Sequence, residues 1–123
     1  MSDLMRHPRG SVARRIEAVG HANVRTSVIV TSELLFGIER RNALRLEAQL
    51  KNILEVMEVA PFEPPADVQY GRVRTDLQNR GLLIGPMDLL IAAHALALGD
   101  ILVSGNVAEF SRVSYLKLEN WLA

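Results

Sequence analysis

Apolar and polar positions alternate along this chain with two periods, one helical and one extended. Val12 to Val19 reads as a short amphipathic helix stopped by Gly20. Val24 to Ser27 reads as a strand, and Ser27 is placed to cap a helix from Val28 to about Arg40. The β-branched start of that helix, Val28-Ile29-Val30-Thr31, also suits a strand, so its boundary stays open. From Asn42 to Leu54, Leu44, Leu46, Leu50, Ile53 and Leu54 recur at helical spacing between charged residues. A strand is expected over Val56 to Val59, then punctuation by Pro61, Pro64 and Pro65. Ala66 to Arg80 is a further amphipathic helix, with Gly81 as its C′ residue. Pro86 opens an almost wholly apolar helix that ends at Gly99. Ile101 to Val103 reads as a buried strand, Val107 to Phe110 as one helical turn, and Tyr115 to Leu118 as a last strand. Helices alternating with strands predict an α/β fold on a parallel sheet with right-handed crossovers. No internal repeat or linker divides the chain, so residues 1–123 are expected to form a single domain.

Composition narrows the function classes. Fourteen basic and fourteen acidic residues cancel. A strongly basic nucleic-acid surface is therefore not indicated, although a local patch is compatible with this balance. Twelve of the basic residues are arginine, which suits bidentate phosphate or carboxylate contacts but also follows from GC-rich coding. With no cysteine, disulfides and thiolate zinc sites are excluded, and a cytoplasmic setting is expected. No run reaches the roughly 20 apolar residues of a membrane span, and Met1 to Gly10 lacks the apolar core of a signal peptide. No membrane partner is expected.

The chemistry concentrates after the strands. Ligands of parallel sheets gather beyond the carboxyl ends of the strands, here Ser27–Glu33, Gly85–Asp88 and Ser104–Glu109. Asp88 lies in the first turn of the apolar helix, where the helix dipole favours negative charge. Its place at the edge of a core asks for a partner: an arginine, backbone donors or a metal ion. Glu33 follows another strand end, within Thr31-Ser32-Glu33-Leu34-Leu35-Phe36-Gly37, and its apolar neighbours imply that it is not freely solvated. Two such acids on neighbouring elements would repel each other unless a cation lay between them. Carboxylates suit hard ions such as Mg²⁺ or Mn²⁺. The alternative is a helix-start acid at Asp88 and an ion pair with arginine at Glu33. The turn Ser104-Gly105-Asn106 adds neutral oxygens and Glu109 a charged one; read alone, it is an ordinary turn with Asn106 as N-cap. His94 lies off the Asp88 face at 100° per residue and reads as structural. Trp121 is expected to cover the core or a dimer edge.

Three segments carry a resemblance: Thr31 to Gly37, Ile84-Gly85-Pro86-Met87-Asp88-Leu89-Leu90-Ile91-Ala92-Ala93-His94, and Ile101-Leu102-Val103-Ser104-Gly105-Asn106-Val107-Ala108-Glu109-Phe110. Together with Leu116 to Trp121, they resemble the PIN-domain ribonucleases, specifically the VapC toxins of bacterial toxin–antitoxin pairs. The resemblance implies a three-layer α/β/α fold and a Mg²⁺- or Mn²⁺-dependent endoribonuclease. It also implies RNA as substrate, a cognate antitoxin that blocks the site, and a homodimer. Glu33 and Asp88 would be catalytic acids and metal ligands. The last ligand would be Asn106 or Glu109, with Ser104 beside it as a substrate-binding residue. From their position, and not from the resemblance, Arg40 and Arg41 after the Glu33 helix suit RNA phosphates or antitoxin carboxylates, with a solvated helix end as the equal alternative.

One departure stands at the front. The family opens with a buried central strand ending in an Asp, commonly followed by Thr-Asn. Here Met1-Ser2-Asp3-Leu4-Met5-Arg6 resembles the first helix instead, and Asp3 has no apolar strand before it. The first-acid role is not carried onto Asp3. The chain as written is therefore expected to lack that strand, about five or six residues, and to have little nuclease activity. A misplaced start codon and a truncated gene product both explain this. A non-catalytic module that binds an antitoxin or dimerises is the alternative function, and an unrelated α/β domain with a structural acid pair is a third.

Overall fold

The computed structural model describes residues 1–122, with the side chains of Ser2 and Asp3 outside the description. It divides into two compact units, Met1–Pro61 with the chain end, and Phe62–Trp121.

The first unit begins with helices α1 (Ser2–Arg6) and α2 (Ser11–Val19), followed by strand β1 (Arg25–Ser27). Helices α3 (Val28–Arg41) and α4 (Leu44–Leu54) then lead to strand β2 (Glu58–Ala60). The β-branched run after β1 is helical. Ser27 fixes the start, because its Oγ accepts the Ile29 N–H at 3.0 Å and relieves one of the orphan donors of the first turn. Thr31 and Ser32 direct their hydroxyls back to the Val28 carbonyl at 2.9 and 2.7 Å. Asn42 ends α3 in the left-handed region at φ 50°, which asparagine tolerates better than most residues. That use of Asn42 delays α4 to Leu44. Strand β2 also starts later than the apolar pattern suggests. The N–H groups of Val56 and Met57 both bond back to the Ile53 carbonyl and close α4, so the extended segment begins at Glu58. The core packs Met5, Ile38 and Leu50 against Leu34, Leu46, Ile53 and Leu54. Strands β1 and β2 run parallel, Thr26 opposite Val59.

The second unit contains α5 (Ala66–Asn79), α6 (Pro86–Leu98), β3 (Leu102–Val103), α7 (Val107–Phe110) and β4 (Leu118–Glu119). Both long helices end as their glycines predict. Gly81 and Gly99 take positive φ, 68° and 69°. The Leu82 N–H then reaches the Leu77 carbonyl, and the Asp100 N–H the Ala95 carbonyl, which closes both C-termini in the Schellman pattern. Leu89, Ile91, Ala92, Ala93, His94 and Ala95 of α6 are buried, with the His94 ring edge-on to Phe62 at 5.3 Å. The last strand starts three residues later than expected. Tyr115 sits in an exposed left-handed turn at φ 68°, and the register is set by bonds from Leu102 N–H to Lys117 O and from Ser104 N–H to Glu119 O. Trp121 is buried, its Nε1 donating to Glu119 at 2.9 Å. The parallel sheet expected from the sequence thus occurs as two parallel pairs, β1–β2 and β3–β4. Among the described residues no strand precedes β1.

Candidate active site

Asp88 is the third residue of α6, after Gly85 at the cap and Pro86 at the first helical position. Gly85 offers no side chain to cap the helix, so the first-turn field is left to the acids nearby. Asp88 is partly buried, as expected for an acid at a core edge. The turn after β3 meets it. Ser104 Oγ accepts the Asn106 N–H at 3.0 Å, which folds the turn locally. The Asn106 side chain makes no cap bond to α7. Its Nδ2 instead reaches Asp88 Oδ2 and Glu109 Oε2, each at 3.3 Å. An ordinary N-cap asparagine would spend its oxygen on α7; this one spends its amide on two carboxylates from different elements.

Glu109 completes the cluster. A hydrogen bond with the Asp88 carboxyl holds its pKa below the ordinary value of 4.5, against partial desolvation. Asn106, the Gly85 N–H and the Arg112 charge help in that order. Two carboxylates held on one amide still repel each other, and a positive charge between them would relieve that repulsion. The structure therefore brings together Asp88, Asn106 and Glu109, with Ser104 shaping their turn. Two residues of this region escape a reading of sequence alone. Arg112 Nη1 donates to the Leu83 carbonyl at 3.1 Å, and Arg80 Nη2 donates to the Arg112 carbonyl at 2.7 Å. Only the Glu109–Arg112 spacing, three residues on one helical turn, hinted at the first.

Glu33 belongs to the first unit, and its surroundings correct an expectation. Its side chain is exposed. The apolar neighbours that implied burial, Leu35 and Phe36, are themselves 49% and 67% exposed, so they do not shield it. Glu33 lines an open cavity of about 210 Å³ with Met5, Arg6, Leu34 and Arg41. Arg41 thus shares the Glu33 cavity, whereas Arg40 stacks over the Phe36 ring, 5.8 Å from its centroid.

Two carboxylates and an amide form a donor set that a hard divalent cation fits, because such an ion prefers oxygen and relieves the like charges. Among the described residues, no group of three or more His, Cys, Asp or Glu stands ready as a metal cluster. No described helix is long and apolar enough to cross a membrane.

Comparison with known proteins bears on the same segments. The PIN domain family model matches residues 3–115. Ribonuclease VapC2 of Rickettsia felis is 36% identical over 118 residues, covering 94% of this chain and 87% of the relative. The tRNA(fMet)-specific endonuclease VapC of Salmonella typhimurium is 32% identical, covering 77% of this chain and 73% of the relative. Among solved structures, VapBC2 of Rickettsia felis bound to a DNA fragment from its promoter superposes with a TM-score of 0.90 at 33% identity, covering 98% of this chain and 92% of that one. DNA-bound VapBC of Salmonella typhimurium gives 0.85 at 26% identity, covering 96% and 89%. An acid at the head of an apolar helix, met by a Ser-Gly-Asn turn and a second acid, is what this chain places on a fold shared with those proteins, and the chain belongs to the PIN-domain family, among the VapC ribonucleases.

Proposed function

We propose that this protein is the toxin of a toxin–antitoxin pair, a divalent-metal-dependent endoribonuclease cutting RNA phosphodiesters. The observation that carries the reading is the Asp88–Asn106–Glu109 cluster, in which one amide bridges two carboxylates from different elements. Asp88 and Glu109 would hold Mg²⁺ or Mn²⁺, Asn106 offering its amide oxygen after a side-chain flip; Glu33, in the first unit, is proposed separately as a catalytic acid. When bound, such an ion polarises a phosphodiester and lowers the pKa of a water nucleophile.

The chain's own residues do the rest. Ser104 keeps the turn folded and Asn106 aimed at the acids. The Gly85 N–H at the cap of α6, together with the helix dipole, favours the negative charge of the cluster. Arg41, in the Glu33 cavity, and Arg40, on Phe36, lie in the last turn of α3, and from there they would meet RNA phosphates. The same arginines suit carboxylates of a cognate antitoxin, and the VapBC relatives are the support for such a partner. Residues 1–123 act as one domain in the cytoplasm, as a homodimer.

Among the described residues no group of three or more His, Cys, Asp or Glu stands together, which favours a second reading, a non-catalytic module that captures its antitoxin or dimerises. Titrating the purified chain with its antitoxin, and assaying RNA cleavage with Mg²⁺ or Mn²⁺, separates the two. EDTA-sensitive cleavage that the antitoxin suppresses supports the ribonuclease. Antitoxin binding with no cleavage at any metal concentration supports the binding module.

A further inference from the structure

The segment that carries Asp88 into place has little apolar anchoring. Between α5 and α6, Leu82 and Leu83 are 37% and 47% exposed, and only Ile84 is buried. Polar contacts must therefore fix it. Two of them run in opposite directions between this segment and the α7 turn. The Gly85 backbone N–H favours the charge on the Glu109 carboxylate, and the Arg112 guanidinium donates to the Leu83 carbonyl at 3.1 Å. Glu109 and Arg112 are three residues apart on one turn, and they grip peptide groups two residues apart on one loop. A second arginine braces the grip. Arg80 donates through Nη2 to the Arg112 carbonyl at 2.7 Å and is itself held by Asp76 at 2.6 and 3.1 Å. Buried Phe110 and Val113 seat the turn on either side of Arg112.

We infer that Arg112, braced by Arg80, is a positioning residue that locks the Asp88 loop to the Glu109 turn and sets the separation of the two carboxylates. Arg112 has a second task, since its charge favours the ionised form of Glu109. Arg80 differs in kind: its guanidinium bonds Asp76, the Arg112 carbonyl and, at 3.5 Å, Ser114 Oγ, so it acts on the acids through Arg112. The inference rests on the cation-site reading for its purpose, but its geometric content can be read without any metal.

The test uses the full 123-residue chain carrying Arg112→Gln, Arg112→Lys or Arg80→Gln. Amide hydrogen exchange of the metal-free protein should show Gly85 exchanging about tenfold faster in Arg112→Gln, with Ala93 in the middle of α6 unchanged. Mn²⁺ titration should show affinity weakened about tenfold, the scale typical of groups that orient ligands. Arg112→Lys should stay within about twofold of the parent in both readouts, and Arg80→Gln should fall between the two. An Arg112→Gln protein equal to the parent at Gly85 overturns the inference. So does exchange that rises equally at Gly85 and Ala93, or loss of folding in all three variants, because each assigns a merely structural role. A parent chain that binds no Mn²⁺ sinks the cation reading instead, and the Gly85 comparison still decides the lock.

Discussion

Asp88 and Glu33 occupy like positions in the sequence and unlike positions in the molecule. Each follows a short turn into a helix and sits among apolar residues. At Asp88 those residues are buried, and the acid is drawn into a network with Asn106 and Glu109. At Glu33 the neighbours Leu35 and Phe36 face solvent, and the acid lies in an open cavity with Arg41. An apolar run after an acid shows that a hydrophobic face exists; it does not show that the face is covered. What separates the two acids is the polar group that reaches them from another element.

The sharpest way to break that contrast is Asp88→Asn. RNA cleavage should fall about a hundredfold, the scale of removing one preorganised charge-stabilising group. The melting temperature should hold or rise, because the substitution removes a like charge from beside Glu109. Loss of cleavage together with a collapse in stability would instead mark Asp88 as a structural acid. Glu33→Gln should lower cleavage about tenfold as the loss of one positioned acid–base group or more, yet change stability by less than about 0.5 kcal/mol, since its side chain is exposed. A large stability change there would mean that Glu33 is held more like Asp88. Asn106→Asp sharpens the contrast from the other side. It puts a third carboxylate on the cluster, so the metal-free protein should melt lower and Mn²⁺ should restore more stability than in the parent.

The smallest effect expected is in pH. The folded state lowers the Glu109 pKa from 4.5. Its contribution to stability is therefore fully present above 4.5 and is lost as pH falls through the lower folded value. Metal-free melting curves of the parent and Glu109→Gln should differ most above that value and converge in stronger acid. A gap that widens on acidification would reverse the sign of the coupling.

Much of this layout was legible in advance for local reasons. Ser27, Pro86, Gly81 and Gly99 carry their helix ends in their own chemistry, and each does so in the structure. The strands were less legible because they are two or three residues long, and partner bonds decide where each begins. Leu118 is a strand residue and Tyr115 is not, because Leu102 has its bond at Lys117. Asn106 was legible as a turn residue, but the sideways reach of its amide depends on Asp88, eighteen residues back. Arg112 left almost no trace in the pattern, since its partner at Leu83 is a backbone carbonyl, and any residue type would supply one.

The most direct measurement is calorimetric titration of Mn²⁺ into the metal-free chain and into Asp88→Asn at neutral pH. One ion should bind the parent, and Asp88→Asn should weaken it about tenfold or more. Equal binding by both proteins, or none by the parent, contradicts a cation site built on Asp88, Asn106 and Glu109.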